Sequence, residues 1–428
     1  METILYPPKQ DWAALCSRAK ADTSALEATC REIFEQVRLN GDQALREYTE
    51  RFDRVEIPGV AVPQEDFEWA QQAVSEELKA AICAAKFNIE TFHRLQIPAD
   101  HHWESPEGFV CRQVARPIER IGIYVPGGSA PLFSTVLMLA VPAAIAGCRQ
   151  VVMCTPPGKD GRVDPAVLWT ARLCGVRQVF RVGGIQAIAA MSFGTESIPA
   201  VYKLFGPGNG YVMAAKQLAQ RYGVAIDMPA GPSEVLVVAD ASARADFVAA
   251  DLLSQAEHGP DSQTVLLTDR EDFPAQVQHE IERQLESLPR KDIARRALDN
   301  SRTIVLKDLD QCMDFSNVYA PEHLILCTED CEKRAEQVEN AGSVFLGHYS
   351  PESAGDYASG TNHTLPTSAY ARSYSGVNVD AFVKKITFQQ ISPAGLQVLG
   401  PIIETMARAE GLDAHKNAVS IRLKTLQR

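Results

Sequence analysis

The chain from about residue 118 onwards alternates short β-branched runs with Ala- and Leu-rich stretches. The run Ile121-Gly-Ile-Tyr-Val125 leads into a turn rich in proline and glycine, and then into an apolar helical stretch. Similar runs begin at Val151, Val179 and Val201. This alternation predicts successive strands and helices of a parallel sheet.

A second series of predicted strands lies at residues 234–238, 264–267, 302–306, 324–327 and 343–346. We therefore predict an α/β fold with two Rossmann-like parallel-sheet domains. The larger predicted domain combines residues 1–123 and 235–376, and the second comprises residues 124–234. Residues 377–428 have a helical, polar pattern and form a predicted C-terminal tail.

The first hundred residues have the pattern of helices. Leu26, Ile33, Phe34 and Val37 recur at helical spacing, and Asn40-Gly41 predicts the end of a helix. We interpret these N-terminal helices as scaffold and group them with the larger domain.

Composition excludes several classes of protein. The 428 residues are 46% hydrophobic and 22% charged, which is incompatible with a disordered chain. The net charge is −12 and no cluster of Lys and Arg occurs, so we expect neither nucleic acid nor an anionic membrane as a partner. Without a membrane-length apolar run or a targeting pattern, the sequence predicts a cytoplasmic protein.

The ten cysteines are scattered along the chain, which favours reduced thiols. Cys327 and Cys331 form the only close pair, and no second pair completes a four-thiolate zinc site. Any bound metal therefore needs nitrogen and oxygen ligands.

The usual dinucleotide-binding fingerprint is absent, because no Gly-x-Gly-x-x-Gly follows a predicted strand. Gly206-Pro-Gly-Asn-Gly210 is the nearest approach to it. Taken alone, this segment favours a tight turn into a helix over a nucleotide-binding loop.

Two pairs of residues suggest chemistry. Gln255 and His258 share one face of the last turn of a predicted helix and could converge on a metal ion, although the spacing taken alone favours a capped helix end. Glu322 and His323 directly precede a predicted strand, where a carboxylate beside an imidazole suits proton transfer. An exposed acidic turn is the alternative for this second pair.

Two further segments contain polar residues of the same kinds. The Gly- and Ser-rich loop at residues 350–363 contributes Asp356 and His363, and loops of this composition commonly carry functional sites. Glu410 and His415 lie close together near the C-terminus. Each of these signals is weak by itself.

Taken together, seven ordered segments resemble the histidinol dehydrogenase family. They are Pro126-Gly-Gly-Ser-Ala-Pro131, Phe205-Gly-Pro-Gly-Asn209, Asp227-Met-Pro-Ala-Gly-Pro-Ser233, Leu253-Ser-Gln-Ala-Glu-His-Gly-Pro-Asp261, Pro321-Glu-His323, Ala354-Gly-Asp-Tyr-Ala-Ser-Gly-Thr-Asn-His363 and Ala414-His-Lys-Asn417. The resemblance extends from about residue 25 to the end. It implies oxidation of L-histidinol through the aldehyde to L-histidine, with two NAD⁺ and one zinc ion, as the final steps of histidine biosynthesis.

The resemblance also implies roles for individual residues. The implied zinc ligands are Gln255, His258, Asp356 and His415. The implied substrate contacts are these four residues together with Ser233, His323, His363 and Glu410. The implied NAD contacts are Tyr124, Gln186 and Asn209. The resemblance makes His323 the general base and Glu322 the group that activates water, which leaves no catalytic role for Cys148 or Cys154.

The family also implies a homodimer with intertwined tails, in which each site borrows residues from the partner subunit. Because the glycine fingerprint is missing, we expect NAD to be held less tightly than in ordinary Rossmann domains. Two other classes remain open, a zinc hydrolase and a non-catalytic metal-binding scaffold, since the same donor residues suit both.

Overall fold

The computed structural model describes residues 1–18, 23–127 and 131–426. Part of the segment Pro126-Gly-Gly-Ser-Ala-Pro131, residues 128–130, lies outside the described residues. No helix in the described ranges combines the length and apolar character needed to cross a membrane.

The strands of the described residues are β1 (Glu2–Leu5), β2 (His101–Glu104), β3 (Phe109–Pro117), β4 (Arg120–Tyr124), β5 (Gln150–Thr155), β6 (Gln178–Arg181), β7 (Lys203–Phe205), β8 (Ala225–Ile226), β9 (Glu234–Ala239), β10 (Gln263–Thr268), β11 (Arg302–Val305), β12 (His323–Cys327), β13 (Ser343–Leu346) and β14 (Val383–Ile391).

The α-helices are α1 (Trp12–Leu15), α2 (Thr23–Asp53), α3 (Gln64–Ala73), α4 (Glu76–Arg94), α5 (Phe133–Ala146), α6 (Pro165–Leu173), α7 (Gly184–Phe193), α8 (Gly210–Arg221), α9 (Ala245–Ala256), α10 (Phe273–Leu285), α11 (Lys291–Asp299), α12 (Leu309–Tyr319), α13 (Cys331–Ala335), α14 (Glu352–Tyr357), α15 (Pro393–Ala409) and α16 (Asp413–Leu426). Short 3₁₀ turns lie at Lys9–Asp11, Tyr370–Arg372 and Val379–Phe382.

Two parallel sheets form the centre of the fold, which confirms the predicted α/β class. The larger sheet has six strands in the order β1-β11-β10-β9-β12-β13, and the smaller has five in the order β6-β5-β4-β7-β8. Nearly every residue of β9 and β10 is buried, as expected for strands covered on both faces by helices.

The N-terminal helices do not pack where the sequence pattern groups them. Phe34 and Leu45 of α2 lie in one core with Ile188 of α7 and Leu218 of α8, beside the five-stranded sheet. Helix α3 packs against α6, and helix α4 packs against α5, beside the opposite face of the same sheet. Helical periodicity shows which face of a helix is apolar, but it does not show which surface packs against that face. The sequence pattern therefore did not reveal that these helices pack beside the five-stranded sheet. The predicted limit at residue 123 also falls inside β4, and the domain limits stay a prediction.

A backbone break divides α2 at the predicted stop. Gly41 has φ 50° and ψ −130°, values that favour glycine, and the helix then resumes. The Asp42 N–H donates to Glu196 Oε2 at 2.8 Å, which satisfies one free donor at the start of the second segment. The resumed helix ends at Asp53.

The C-terminal tail begins with a strand that its pattern does not predict. Strand β14 pairs antiparallel with β3, and the register joins Val383 to Pro117 and Ile391 to Phe109. Together with β2 these strands form a third sheet. The partner strand lies far away in the sequence, and strand formation depends strongly on such partners. The helical part of the predicted tail is confirmed in α15 and α16.

Candidate active site

A cluster of polar side chains lies at the amino-terminal edge of the six-stranded sheet. His323 is the first residue of β12, and Glu234 is the first residue of the neighbouring strand β9. Both side chains are buried. Because α9 runs back from the opposite edge after β9, its last turn brings Gln255 to this side of the sheet.

The hydrogen bonds of His323 define its tautomer. Its Nδ1 donates to the carbonyl oxygen of Glu234 at 3.1 Å, so Nε2 keeps its lone pair in the neutral ring. Nε2 is buried, has no hydrogen-bond partner in the described part of the chain, and lies 3.6 Å from Asp356 Oδ1. The arrangement leaves Nε2 free to accept a proton.

Glu322 lies directly beside this imidazole. Its Oε2 accepts a hydrogen bond from the Glu234 N–H at 2.8 Å and lies 3.6 Å from His323 Nδ1. Burial raises the pKa of Glu322 to about 8, although His323 and the Glu234 N–H lower it in part. Burial lowers the pKa of His323, but the surrounding carboxylates outweigh burial and raise it. The pair can therefore exchange a proton near neutral pH.

Arg18 and Glu234 support this pair from behind, although their sequence pattern gave no signal. The Arg18 guanidinium donates from Nε and Nη2 to the two Glu234 carboxylate oxygens, each at 2.9 Å. It also lies over the Tyr319 ring, 3.7 Å from its centroid. This bidentate pair anchors the strand residue whose backbone binds both His323 and Glu322.

A second group of side chains faces His323 across the cluster. His258 Nε2 lies 3.8 Å from Asp356 Oδ2, and His258, Glu352 and Asp356 each offer an atom within 4.8 Å of the others. The side-chain amide of Gln255 is assigned so that both its nitrogen and its oxygen face suitable partners. In this orientation the amide nitrogen donates to Glu352 Oε1 at 2.6 Å, and the amide oxygen of Gln255 faces away from that carboxylate. Helix α14 positions both acidic residues, because Glu352 and Asp356 are four residues apart on it.

The chemistry of this group suits a divalent cation. Burial raises the pKa of Glu352 well above its ordinary range, and it raises the pKa of Asp251 to about 7. Buried carboxylates that lack compensating charge are unstable when ionised, and a bound cation would supply that charge. Glu352 was not singled out by the sequence, although its spacing from Asp356 was a usable signal.

The remaining predicted substrate contacts divide into two groups. His363 is close to the cluster, because its Nδ1 donates to the Asp356 carbonyl oxygen at 2.9 Å, and its Nε2 lies 3.3 Å from Thr135 Oγ1. Ser233 immediately precedes Glu234. Glu410 and His415 are exposed on the tail, and in the described residues they make no hydrogen bond or ion pair with the cluster.

A cavity of about 900 Å³ lies over the five-stranded sheet. Its lining includes all three predicted NAD contacts, Tyr124 at the end of β4, Gln186 near the start of α7, and Asn209 before α8. The Gly184 N–H donates to the Tyr124 hydroxyl at 3.1 Å. This volume is within the range of small-molecule sites.

The segment Gly206-Pro-Gly-Asn-Gly210 is both a helix-forming turn and part of this cavity. The Asn209 side-chain oxygen accepts from the N–H groups of Tyr211 and Val212 and thereby caps α8. Gly206 has φ +132°, and a Cβ there would lie 2.2 Å from the Tyr124 carbonyl oxygen. Only glycine therefore permits this close approach.

Two buried polar atoms without partners in the described residues belong to side chains that line this cavity. They are Gln186 Oε1 and Asp53 Oδ2. Buried acceptors of this kind are rare unless a ligand or water completes them. Since both are acceptors, the cavity suits a ligand with hydroxyl or amide donors, as a dinucleotide has.

Comparisons with known proteins identify the family of the chain. The profile of the histidinol dehydrogenase family matches residues 16–423. The chain belongs to the histidinol dehydrogenase family. Histidinol dehydrogenase of Bacteroides thetaiotaomicron is 58% identical over 427 residues, covering 100% of each chain. That of Salmonella typhimurium is 52% identical, covering 98% of this chain and 96% of the relative.

A solved structure of a family member has the same fold. The crystal structure of histidinol dehydrogenase from Elizabethkingia anophelis superposes with a TM-score of 0.97 at 54% identity, covering 100% of this chain and 99% of that chain. Family membership confirms the resemblance read from the seven segments and the prediction that the chain is a dehydrogenase enzyme. It disfavours the hydrolase and scaffold alternatives.

The cysteines near the second sheet are thiols rather than nucleophiles. Burial raises the pKa of Cys148 to about 11 and raises that of Cys154 further. Both side chains are therefore protonated at neutral pH, and a thiol is a poor nucleophile.

Proposed function

We propose that this chain oxidises L-histidinol through L-histidinaldehyde to L-histidine, using two NAD⁺ and a zinc ion. The observation that carries the proposal is the buried His323, whose free Nε2 faces the donor group of His258, Glu352 and Asp356. A proton acceptor beside a metal-type donor group suits an alcohol that is positioned by ligation. The net reaction consumes one water and yields two NADH and three protons.

His323 acts in the first oxidation. Its Nε2 takes the hydroxyl proton while the carbinol carbon releases a hydride to NAD⁺, which leaves the aldehyde, NADH and a protonated imidazole. The bond from Nδ1 to the Glu234 carbonyl oxygen keeps the ring oriented throughout. The imidazole then returns its proton to solvent.

Glu322 acts between the two oxidations. Its carboxylate takes a proton from water as the water oxygen adds to the aldehyde carbon, and the carboxyl then returns that proton to the former carbonyl oxygen, which gives the gem-diol. His323 then removes a proton from one diol hydroxyl while the second hydride leaves for a second NAD⁺. The carboxylic acid so formed loses its remaining proton to solvent, and the product is the carboxylate of L-histidine.

We assign the zinc ligands to Gln255, His258, Asp356 and His415 of the partner subunit. Zinc bound there would ligate the imidazole and amino nitrogens of histidinol and so position its carbinol carbon. Glu352 accepts from the Gln255 amide nitrogen and thereby directs the amide oxygen elsewhere, which suits a ligand. Ser233, His363 and Glu410 of the partner subunit complete the proposed substrate contacts.

We assign Tyr124, Gln186 and Asn209 to NAD binding in the cavity over the five-stranded sheet. The unpartnered Gln186 oxygen supports this assignment. We also propose a cytoplasmic location, since ten unpaired cysteines suit a reducing compartment. Neither nucleic acid nor a membrane is part of the proposal.

The proposed homodimer with shared sites rests on the tail. Strand β14 and helices α15 and α16 expose apolar side chains that a second copy would cover, among them Ile391, Ile402, Met406 and Ile421. The exposed position of His415 is consistent with a site on the partner. Mixed refolding of His415→Asn and Asp356→Asn subunits should then restore activity that neither variant has alone. Mixtures no more active than the separate variants would contradict shared sites.

The decisive experiment counts NADH released per histidinol consumed. We expect two, followed by absorbance in the near ultraviolet, with zinc bound on metal analysis. His258→Asn should lose zinc and turnover while its circular dichroism stays native, because removing one ligand does not remove the sheet. A hydrolase or a scaffold would release no NADH, and a fully active variant without zinc would refute the metal assignment.

A further inference from the structure

One wall of the cavity over the five-stranded sheet comes from the N-terminal helix α2. The last two residues of this helix, Phe52 and Asp53, line the cavity together with Tyr124 and Gln186. None of the seven family-like segments includes Asp53. The break at Gly41 separates the helix into two parts, and the second part carries Asp53 to this wall.

Among the described residues, Asp53 has no hydrogen-bonded or ionic partner that would explain its position as structural, and its Oδ2 is buried. Burial raises the pKa of the Tyr124 hydroxyl, and the nearby Asp53 charge raises it further. Within the described ranges two cations line the cavity, and neither pairs with Asp53. Arg162 lies over the Trp69 ring at 5.1 Å and near Asp66 at 3.7 Å, and Lys159 is exposed. Burial raises the pKa of Asp53 to about 6, so the carboxylate remains ionised in mildly alkaline buffer.

A hydrogen-bond donor is needed to complete the Asp53 Oδ2 acceptor, and a ligand in the cavity would supply one. A phosphate offers only acceptors and negative charge, whereas a ribose offers two adjacent hydroxyl donors. In ordinary Rossmann domains an acidic residue about 20 positions after the glycine motif binds the ribose 2′-hydroxyl. This chain lacks that motif, and Asp53 would supply the same carboxylate from a helix that precedes the sheet.

We propose that Asp53 accepts hydrogen bonds from a ribose diol of the dinucleotide and thereby selects NAD⁺ over NADP⁺. The inference rests on the proposed binding of NAD in this cavity. A 2′-phosphate replaces one hydroxyl donor and adds negative charge beside the carboxylate. Both effects disfavour NADP⁺, the first by leaving Asp53 unsatisfied and the second by repulsion.

The test compares equilibrium binding of NAD⁺ and NADP⁺ by calorimetry on the zinc-loaded protein. We expect Asp53→Asn to weaken NAD⁺ binding about tenfold or more and to leave or improve NADP⁺ binding, so that the preference falls at least about tenfold. Glu50→Gln is the matched control, since it removes one negative charge from the exposed side of the same helix. We expect it to change either affinity less than about twofold.

Asp53→Glu separates charge from geometry. It keeps the negative charge but moves it by one methylene, so NAD⁺ binding should weaken while NADP⁺ stays excluded. An unchanged ratio of the two affinities in Asp53→Asn would overturn the inference, even if both variants fold normally. If the unaltered protein binds no NAD⁺ while forming a complex with histidinol, the proposed function itself fails, which is a different outcome.

Discussion

The cluster around His323 and the cavity over the five-stranded sheet are built in opposite ways. In the cluster, distant parts of the chain satisfy one another behind His323, as Arg18, Glu234 and Glu322 show, while His323 Nε2 stays unpaired among the described residues. The cavity wall instead contains several prolines and apolar rings, and Gln186 and Asp53 each leave one buried acceptor unpaired. The chain itself preorganises the groups for proton transfer, whereas the cavity reserves hydrogen bonds for its ligand. Substitutions in the cluster around His323 should therefore change the rates of the two oxidations, whereas substitutions in the cavity should change the affinity for NAD⁺.

The largest expected effect concerns the two adjacent groups of the cluster. Glu322→Gln keeps an oxygen that can accept from the Glu234 N–H but removes the base that activates water. The second half-reaction should fall roughly 10²–10⁴-fold, the usual range for a positioned acid or base, and the first should fall less. His323→Asn should slow both half-reactions. The measurement is single-turnover NADH formation from histidinol and, separately, from histidinaldehyde.

Equal loss of both half-reactions in Glu322→Gln would contradict this division of roles. Glu322 would then act only by orienting His323. Matching zinc content in the two variants is the control, because it excludes loss of metal as the cause.

The next effect concerns a buried ion pair beneath the cavity. Lys216 Nζ lies 2.5 Å from Asp227 Oδ1 and donates to the Gly206 carbonyl oxygen at 2.8 Å, and the Gly206 N–H donates to Asp227 Oδ2 at 2.8 Å. Lys216→Met leaves Asp227 buried without compensation. We expect the free energy of unfolding to fall by about 3–5 kcal/mol and NAD⁺ binding to weaken, with less effect on the rate at saturating NAD⁺.

The exposed pair of Lys291 and Glu286 provides the control for Lys216. These side chains lie 3.5 Å apart in solvent, so Lys291→Met should change the free energy of unfolding by less than about 1 kcal/mol. Urea unfolding and NAD⁺ titration of both variants make the comparison. Similar losses in the two variants would show that the buried pair does not support the cavity.

The smallest expected effect is a dependence of stability on pH at Asp53. Burial raises its pKa from 3.8 to about 6, so the folded state favours the protonated form. Its contribution is fully present below about pH 4 and is lost as the pH rises through about 6. NAD-free Asp53→Asn should therefore gain stability over the unaltered protein across this window, by roughly 1 kcal/mol after solvent screening.

Urea unfolding at several pH values measures this difference in the absence of NAD. A pH-independent difference would mean that Asp53 has a partner in solution. If Asp53→Asn is more stable but binds NAD⁺ less well, the contrast between the two regions becomes sharper. Asp53 would then lower the stability of the free protein while strengthening the binding of its ligand.

The sequence determined the strands of both parallel sheets, and it determined the residues at their ends. The resemblance to the family implied Tyr124, Gln186 and Asn209 as NAD contacts, at the ends of successive strands of one parallel series, and all three line one cavity. Glu322 and His323 were recognisable because adjacency and a following strand are local features. The prediction of Glu322 and His323 depended on spacing within a few residues, which is directly visible in a sequence.

Only the tertiary structure decided which distant surfaces meet. Arg18 binds Glu234, which lies 216 positions away in the sequence, and β14 pairs with β3, which lies still further away. The tertiary structure likewise decided that α2 packs against α7 and α8 and that Asp53 lines the cavity. Periodicity in the sequence shows that a helix face is apolar or that a strand can form. It does not show which element packs against that face or pairs with that strand. The partner follows from which packing buries the most surface while satisfying the buried polar groups, and that property belongs to the whole fold.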